Sequence, residues 1–314
     1  MININSKIFI AGHNGMLGSA ILRVLKKKGY KKLITINKKK LDLRDQIGVK
    51  KFFKKKKPHA VIIAAAKVGG IKANIKYPAN FLSDNLEIQT NLISSSHLYK
   101  VKKLILFGSS CIYPKNLKKP IKESQIMTGK LEETNESYAI AKIAGIKMCE
   151  SFNKQYNTDY RAVMPTNLYG PNDNYDELNS HVLAALIKKI INAKKNKKKN
   201  VIIWGNGKPK REFLHTDDFA KACVKIMNIS TKRYRKICGN DYQFINVGYG
   251  KEITIKALAN LISKIVNFKG NFFYDKKKPN GTYRKLINSS KLKSINWSPK
   301  ISLKEGLKKI IYSK

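Results

Sequence analysis

A chain of 314 residues with 42% hydrophobic residues is long enough for one large domain or two modest ones with a true core. No apolar run approaches the roughly 18 residues of a membrane span, and the N-terminus passes into the strand-like 7–11 without a signal pattern, so an unexported cytoplasmic protein is expected. The formal charge of +44 first suggests nucleic acid, but 57 lysines against seven arginines, spread through runs such as 26–28, 38–40, 54–57 and 194–199, describe a solvated lysine-rich surface without the arginine forks of base readers.

Short apolar runs at 8–10, 33–36, 60–65, 104–107 and 160–164 read as buried strands. Helical patterns lie between them near 15–29, 45–56, 79–100 and 136–156, the rhythm of a parallel α/β sheet. Beyond Pro171 the pattern loosens: a helix is expected at 181–194, a strand at 201–204, and a helix at 254–266 after Asn246-Val-Gly248. The expected architecture is a Rossmann-type doubly wound parallel sheet over 1–170, with a smaller α/β lobe over 171–314 from which segments near 200–248 return to the first sheet. Cys111, Cys149, Cys223 and Cys238 lack paired or metal-ligand spacing, so reduced thiols and no metal are expected.

Gly12-His13-Asn14-Gly15-Met16-Leu17-Gly18 directly follows the first strand and opens the first helix. Small residues there allow a tight turn and close backbone approach, and free N–H groups at the helix start receive a pyrophosphate, so a dinucleotide cofactor is expected along this loop. The second strand ends Ile36-Asn37-Lys38 without the acidic residue that would bond an NAD ribose. Lysines there attract a 2′-phosphate, which points to NADP(H), with Lys38 the leading contact and Asn37 beside it. Ala64 and Ala65 after the third strand are small enough for the cofactor to pack against backbone, and Asp42-Leu43 stands where a loop can approach adenine.

Tyr138 and Lys142 are four residues apart on the helix expected at 136–156, which puts phenol and ammonium on one face. A free tyrosine titrates near about 10, and a neighbouring cation is expected to lower it toward a useful acid–base range.

Together with Gly108-Ser-Ser-Cys-Ile-Tyr-Pro114, these features resemble the extended short-chain dehydrogenase/reductase family over nearly the whole chain. Longer runs, Ala64-Ala-Ala-Lys-Val-Gly-Gly-Ile71, Met164-Pro-Thr-Asn-Leu-Tyr-Gly-Pro171 and Arg211-Glu-Phe-Leu-His215, are similar to its nucleotide-sugar epimerase-reductases. The resemblance implies NADPH-dependent 3,5-epimerisation and 4-reduction of GDP-4-keto-6-deoxy-D-mannose to GDP-L-fucose by a homodimer whose helices at 79–100 and 136–156 pack across a two-fold axis. It implies Cys111 and His181 as the epimerising base and acid, and Tyr138 as the proton donor to the C4 oxygen. Lys142 is the ribose-holding partner, Ser109 bonds the reacting oxygen, and Ser110 stays an alternative to Ser109. It further places Pro165, Asn167, Leu168 and His181 against the cofactor, and Val68, Gly69, Asn167, Lys189, Trp204, Arg211 and Asn280 against the substrate.

Two departures stand out. Asn14 replaces a common arginine beside the 2′-phosphate, which shifts that contact to Lys38, and Asn280 replaces a common aspartate, which changes the donors offered to the nucleotide. The competing readings are a 4-epimerase retaining NAD, which needs neither Cys111 nor His181, and a non-catalytic NADP-sensing protein, which has no need of Ser109, Tyr138 and Lys142 together.

Overall fold

The computed structural model describes residues 2–176, 180–239, 243–278 and 281–312. Its first element, β1 (Ile8–Ala11), is buried along its length and leads through the glycine loop into α1 (Met16–Lys27). β2 (Leu33–Ile34), α2 (Gln46–Lys56), β3 (Ala60–Ile63), α3 (Ile71–Lys76), α4 (Pro78–Leu98), β4 (Lys103–Phe107), α5 (Glu136–Tyr156) and β5 (Tyr160–Pro165) follow. Two strands are shorter than their apolar runs. β2 pairs only with β1 at the sheet edge and gives way to Asn37 and the lysines, while Ala64 and Ala65 leave β3 to enter the loop facing Gly12.

After β5 come β6 (Asn167–Tyr169), α6 (Val182–Lys195), β7 (Asn200–Trp204), β8 (Lys210–His215), α7 (Thr216–Asn228), α8 (Thr231–Cys238) and β9 (Phe244–Val247). The chain closes with β10 (Glu252–Thr254), α9 (Ile255–Val266), β11 (Asn271–Asp275), β12 (Arg284–Lys285) and α10 (Leu303–Tyr312). The main sheet is parallel, in the order β2-β1-β3-β4-β5-β9. Strand order reverses beside β1, so the crevice between the carboxyl ends of β1 and β3 is the position where such sheets take ligands.

Side chains alternate between the two faces. Ile8 and Ile10 enter the core built with α1 and α7, whereas Phe9 and Ala11 enter the core under α2, α4 and α5. Covering on both faces explains why these strands read as unbroken apolar runs. On the second face Gly145 of α5 lies so close to α4 that an added Cβ would come within 2.3 Å of the Gln89 side chain.

Of the segments after residue 171, α7, α8 and β9 pack into the main core, as do Leu292 and Ile295. β7 does not join that sheet. It pairs in parallel with β11, and a separate core gathers α6, α9, α10, β7 and Phe213 of β8. β8 lies between β10, antiparallel, and β12, parallel, and also pairs with β6 directly after the main sheet. Glu212, fully buried on β8, accepts N–H bonds from Gly250 at 2.6 Å and Ile287 at 3.1 Å, pinning the segments that carry β10 and β12.

Candidate active site

Gly12 adopts φ +85°, a region that favours glycine, and a Cβ there would lie 2.6 Å from the Ala65 nitrogen. Gly18, one turn into α1, would drive a Cβ to 2.1 Å from the Gly12 carbonyl oxygen. Gly15 differs, since its Cβ would meet only that oxygen, at an ordinary 3.5 Å. Fold packing therefore requires glycine at 12 and 18, and the third position is left open on the side a ligand approaches. α1 has no side-chain cap and no acidic residue in its first turn, in contrast to α2, whose N-cap Asp45 accepts from Gly48. Its first N–H groups stay available to an anion. The Nδ1 of His13 is buried without a partner in the same loop.

Asn14 donates to Asn37 at 2.7 Å, so the residue replacing the common arginine is tied to the end of β2 beside Lys38. Asp42 is engaged by Arg44, which holds its carboxyl down to about 2, and Arg44 also reaches Asp84 of α4. A cavity of about 410 Å³ opens under this loop, walled by Lys38, Lys40, Asp42 and Phe52. It lies at the β2 side of the crevice, away from the tyrosine. The glycine approach, the uncapped helix and a basic β2 terminus without a carboxylate fit a dinucleotide bearing a 2′-phosphate.

The chemical cluster forms where the loop after β4 meets α5. Ser109 caps a short 3₁₀ turn, its hydroxyl accepting from Cys111 N at 3.3 Å, and it also bonds the Tyr138 phenol. Ser110 is buried behind it. Phe81 of α4 packs edge-on against Tyr138 with ring centroids 6.3 Å apart. Lys142 is buried, donates to the Phe107 carbonyl at 3.0 Å, and lies 5.7 Å from the Tyr138 ring centroid.

One expectation is corrected here. Lys142 does not lower the phenol: burial pushes Tyr138 well up, the nearby Cys111 adds to the rise, and the Ser109 bond offsets only part. Lys142 itself is pushed down to about 8 by burial. The reason is desolvation, which disfavours both charged forms when the ammonium is turned to a backbone carbonyl. Tyr138 thus holds its proton near neutrality, the state in which it can donate one.

Cys111 is half-buried and receives N–H donors from Asn135 at 3.5 Å and Lys285 at 3.7 Å. Cys149, Cys223 and Cys238 are buried elsewhere and unpaired. His181, the N-cap of α6, is exposed at its surface, yet desolvation by the surrounding protein lowers its pKa, and the Lys285 cation lowers it further. Lys285 thus bears on both Cys111 and His181. Neither Asn135 nor Lys285 stood out in the sequence. Asn135 is separated from Cys111 by 24 residues, and Lys285 is one lysine among 57.

On the other wall, β12 sets Lys285 beside Arg211 in register. The Arg211 guanidinium bonds the Lys210 carbonyl, and burial lowers its pKa, with Cys111 and Glu132 opposing. Trp204 ends β7, and Lys189 of α6 lies 5.6 Å from its ring centroid while donating to the Ile202 carbonyl. Lys72 and Lys278, both unpredicted, approach the same ring at 4.5 and 5.8 Å. Val68 is 57% exposed on the loop before α3, beside Gly69, whose carbonyl accepts from Asn74. Pro165 ends β5, and Asn167 of β6 spends its amide on the Glu212 carbonyl at 2.9 Å, with Leu168 half-buried beside it. Asn280 lies outside the described residues.

A parallel sheet with a glycine loop at its switch point and a Ser-Tyr-Lys cluster beside it defines a nucleotide-cofactor dehydrogenase or epimerase. The model of the NAD dependent epimerase/dehydratase family matches residues 8–238, and the chain belongs to that family. It is 51% identical to GDP-L-fucose synthase 1 of Arabidopsis thaliana, over 96% of this chain and 91% of that one. It is 48% identical to GDP-L-fucose synthase of Escherichia coli K12, over 96% and 94%. Among solved structures, a GDP-L-fucose synthetase of Naegleria fowleri bound to NADP superposes with a TM-score of 0.87 at 27% identity, covering 99% of this chain and 94% of that chain.

Proposed function

We propose that this chain is an NADP(H)-dependent enzyme that epimerises C3 and C5 of GDP-4-keto-6-deoxy-D-mannose and reduces C4, giving GDP-L-fucose. The observation that carries the reading is Cys111, set between Asn135 and Lys285 within the same cluster as Ser109 and Tyr138. A simple reductase or a 4-epimerase needs the tyrosine cluster but no second proton-transfer group. The relatives named for GDP-L-fucose synthesis, matched over nearly the whole chain, support the same substrate.

A carbonyl at C4 acidifies the C–H bonds at C3 and C5. Cys111 takes a proton from such a carbon, and His181 serves the opposite transfer, so that each centre is reprotonated on its other face. Lys285 and Asn135 hold the sulfur in place with their N–H donors. When bound, the cofactor supplies the hydride for C4. Tyr138 then gives its proton to the C4 oxygen, Ser109 bonds that oxygen, and Lys142 holds the ribose side of the pocket. The N–H groups opening α1 receive the pyrophosphate, and Lys38 with Asn37 faces the 2′-phosphate. Arg211, Lys189 and Trp204 receive the nucleoside diphosphate of the substrate, and Val68, Gly69 and Asn167 border the sugar.

In this reading residues 1–170 mainly bind cofactor, and 171–314 mainly bind substrate. We assign the active form to a cytoplasmic homodimer joined through α4 and α5, where Leu98, Ile140 and Tyr156 are exposed. Four unpaired cysteines fit a reducing compartment.

The test supplies purified protein with GDP-4-keto-6-deoxy-D-mannose and follows NADPH absorbance, with NADH in parallel. NADPH oxidation is expected; a folded protein that oxidises neither cofactor overturns the reading. Tyr138→Phe should block reduction yet leave solvent-deuterium exchange at C3 or C5, and Cys111→Ala should suppress that exchange. Normal exchange in Cys111→Ala would remove the role given to the thiol.

A further inference from the structure

Three ammonium groups converge on one indole. Lys72 of α3, Lys189 of α6 and Lys278 after β11 lie 4.5, 5.6 and 5.8 Å from the Trp204 ring centroid. A ring face attracts a cation, but three like charges around a single ring repel one another, so the gathering is not explained by stability. Among the described residues no carboxylate lies within ion-pair distance of Lys72, Lys278 or the nearby Arg211. What would balance Lys72, Lys278 and Arg211 is an anion with more than one charge, and the indole offers a flat surface beside them.

Lys72 differs from the other cations in origin. It rides on the 67–77 segment of the cofactor-binding half, whereas Trp204, Lys189, Lys278 and Arg211 belong to elements after residue 171. The segment is rooted on α4, where Asn85 bonds both the N–H and the carbonyl of Lys67 at 3.0 Å. Asn74 ties its turn together by donating to the carbonyls of Gly69 and Gly70. At its tip Ile71 approaches Gly281, whose other neighbour is Arg211: a Cβ on Gly281 would sit 3.7 Å from Ile71 and 3.2 Å from the guanidinium. Lys72 itself is exposed and reaches across to the indole.

We propose that Lys72 is a substrate-binding residue, whose ammonium crosses from the cofactor-binding half to take the diphosphate of the sugar nucleotide over Trp204, completing a cation set with Lys189, Lys278 and Arg211. The inference rests on the reading of the substrate as a GDP-sugar and adds a ligand from the opposite wall. Phosphate-directed cations from both sides, one against three, make binding of the nucleotide and closure of the two walls a single event.

The experiment titrates the full chain with GDP, GMP and guanosine by calorimetry, at low and high salt, in wild type, Lys72→Met and Lys72→Arg. Lys72 is exposed, so neither substitution disturbs the core. Lys72→Met is expected to weaken GDP about 5–20-fold at low salt, the loss of one charge-assisted contact. It should weaken GMP less, leave guanosine and NADPH unchanged, and flatten the salt dependence of GDP binding, while Lys72→Arg restores the affinity. GDP bound equally by wild type and Lys72→Met overturns the inference and leaves the substrate reading standing. Equal losses for GDP and guanosine, or no rescue by arginine, would also overturn it, because the contact would then be packing and not charge. A wild-type protein that binds no GDP removes both.

Discussion

Gly15 and Gly12 separate two jobs that a glycine motif merges. Gly12→Ala must place a side chain at φ +85° and 2.6 Å from the Ala65 nitrogen, so thermal stability and NADPH affinity should fall together. Gly15→Ala meets only ordinary contact within the chain, so its melting temperature should stay near wild type while NADPH affinity, followed by fluorescence titration, drops tenfold or so (about 1.4 kcal/mol). A Gly15→Ala protein that binds NADPH normally would show that the pyrophosphate does not approach there. Lys142 exposes a cost of function. Its folded pKa, about 8, lies below the ordinary 10.5, so the folded state disfavours the cation. Below about 8 the buried ammonium costs stability on the order of 3 kcal/mol, and the cost is relieved as pH rises from there through 10.5, because the unfolded chain then binds the extra proton. Lys142→Met should therefore melt above wild type near neutrality, less whatever the lost bond to Phe107 contributed, with the gap closing in alkali. Melting curves that stay parallel across that range would contradict the burial cost. From sequence the spacing of Tyr138 and Lys142 was legible, but the direction of the tyrosine shift was not. Spacing places two groups on one face, whereas the shift depends on desolvation by residues distant in the chain.

Among the elements, β8 shows how one buried side chain organises a site. Its Glu212 accepts from Gly250 through one oxygen and from Ile287 through the other, so both carboxylate oxygens are spent on backbone donors. Glu212→Gln must turn an NH₂ group toward one of those donors, leaving it unsatisfied in a buried place, at about 1–3 kcal/mol. The melting temperature should fall accordingly, and Cys111 should lose reactivity toward alkylating agents as β12, carrying Lys285 two residues before Ile287, loosens. An unshifted melt would mean that the carboxylate is not what pins these segments. Helices of the first half were readable because each is covered on one face, which imprints period 3.6 on its apolar residues, and its strands because cover on both faces leaves unbroken apolar runs. β7 was readable as the strand expected at 201–204, whereas β11 was not, since its exposed Phe273 blurs the alternation. The length of β2 was misjudged because its apolar residues continue past Ile34, whereas among the described residues only β1 pairs with it at that edge.

At the scale of the molecule, α4 and α5 pack closely along one face of the sheet and leave Leu98, Ile140 and Tyr156 exposed at 56%, 45% and 48%. A two-fold contact through this pair would cover them. Sedimentation should then give twice the chain mass of 35.7 kDa, and Ile140→Glu should shift the protein toward the single chain. A wild type that sediments as one chain at all concentrations would sink the homodimer. The charge of +44 acts at this scale too, as a general positive field that attracts an anionic nucleotide.

Read alone, the amino-acid order determined the parallel α/β class, the glycine loop that opens α1, and the pairing of Tyr138 with Lys142, because each is a local pattern within one strand-turn-helix or one helix. It also marked Cys111, Ser109 and Arg211 through runs long enough to resemble a family. Only the tertiary structure set Lys285 against Cys111, Asn135 against the same sulfur, and Lys72 over Trp204. The physical reason is that charge is nearly uniform along this chain. With lysine in every segment, which few of them face the site is decided by how distant elements pack, and no local signal distinguishes those from the rest.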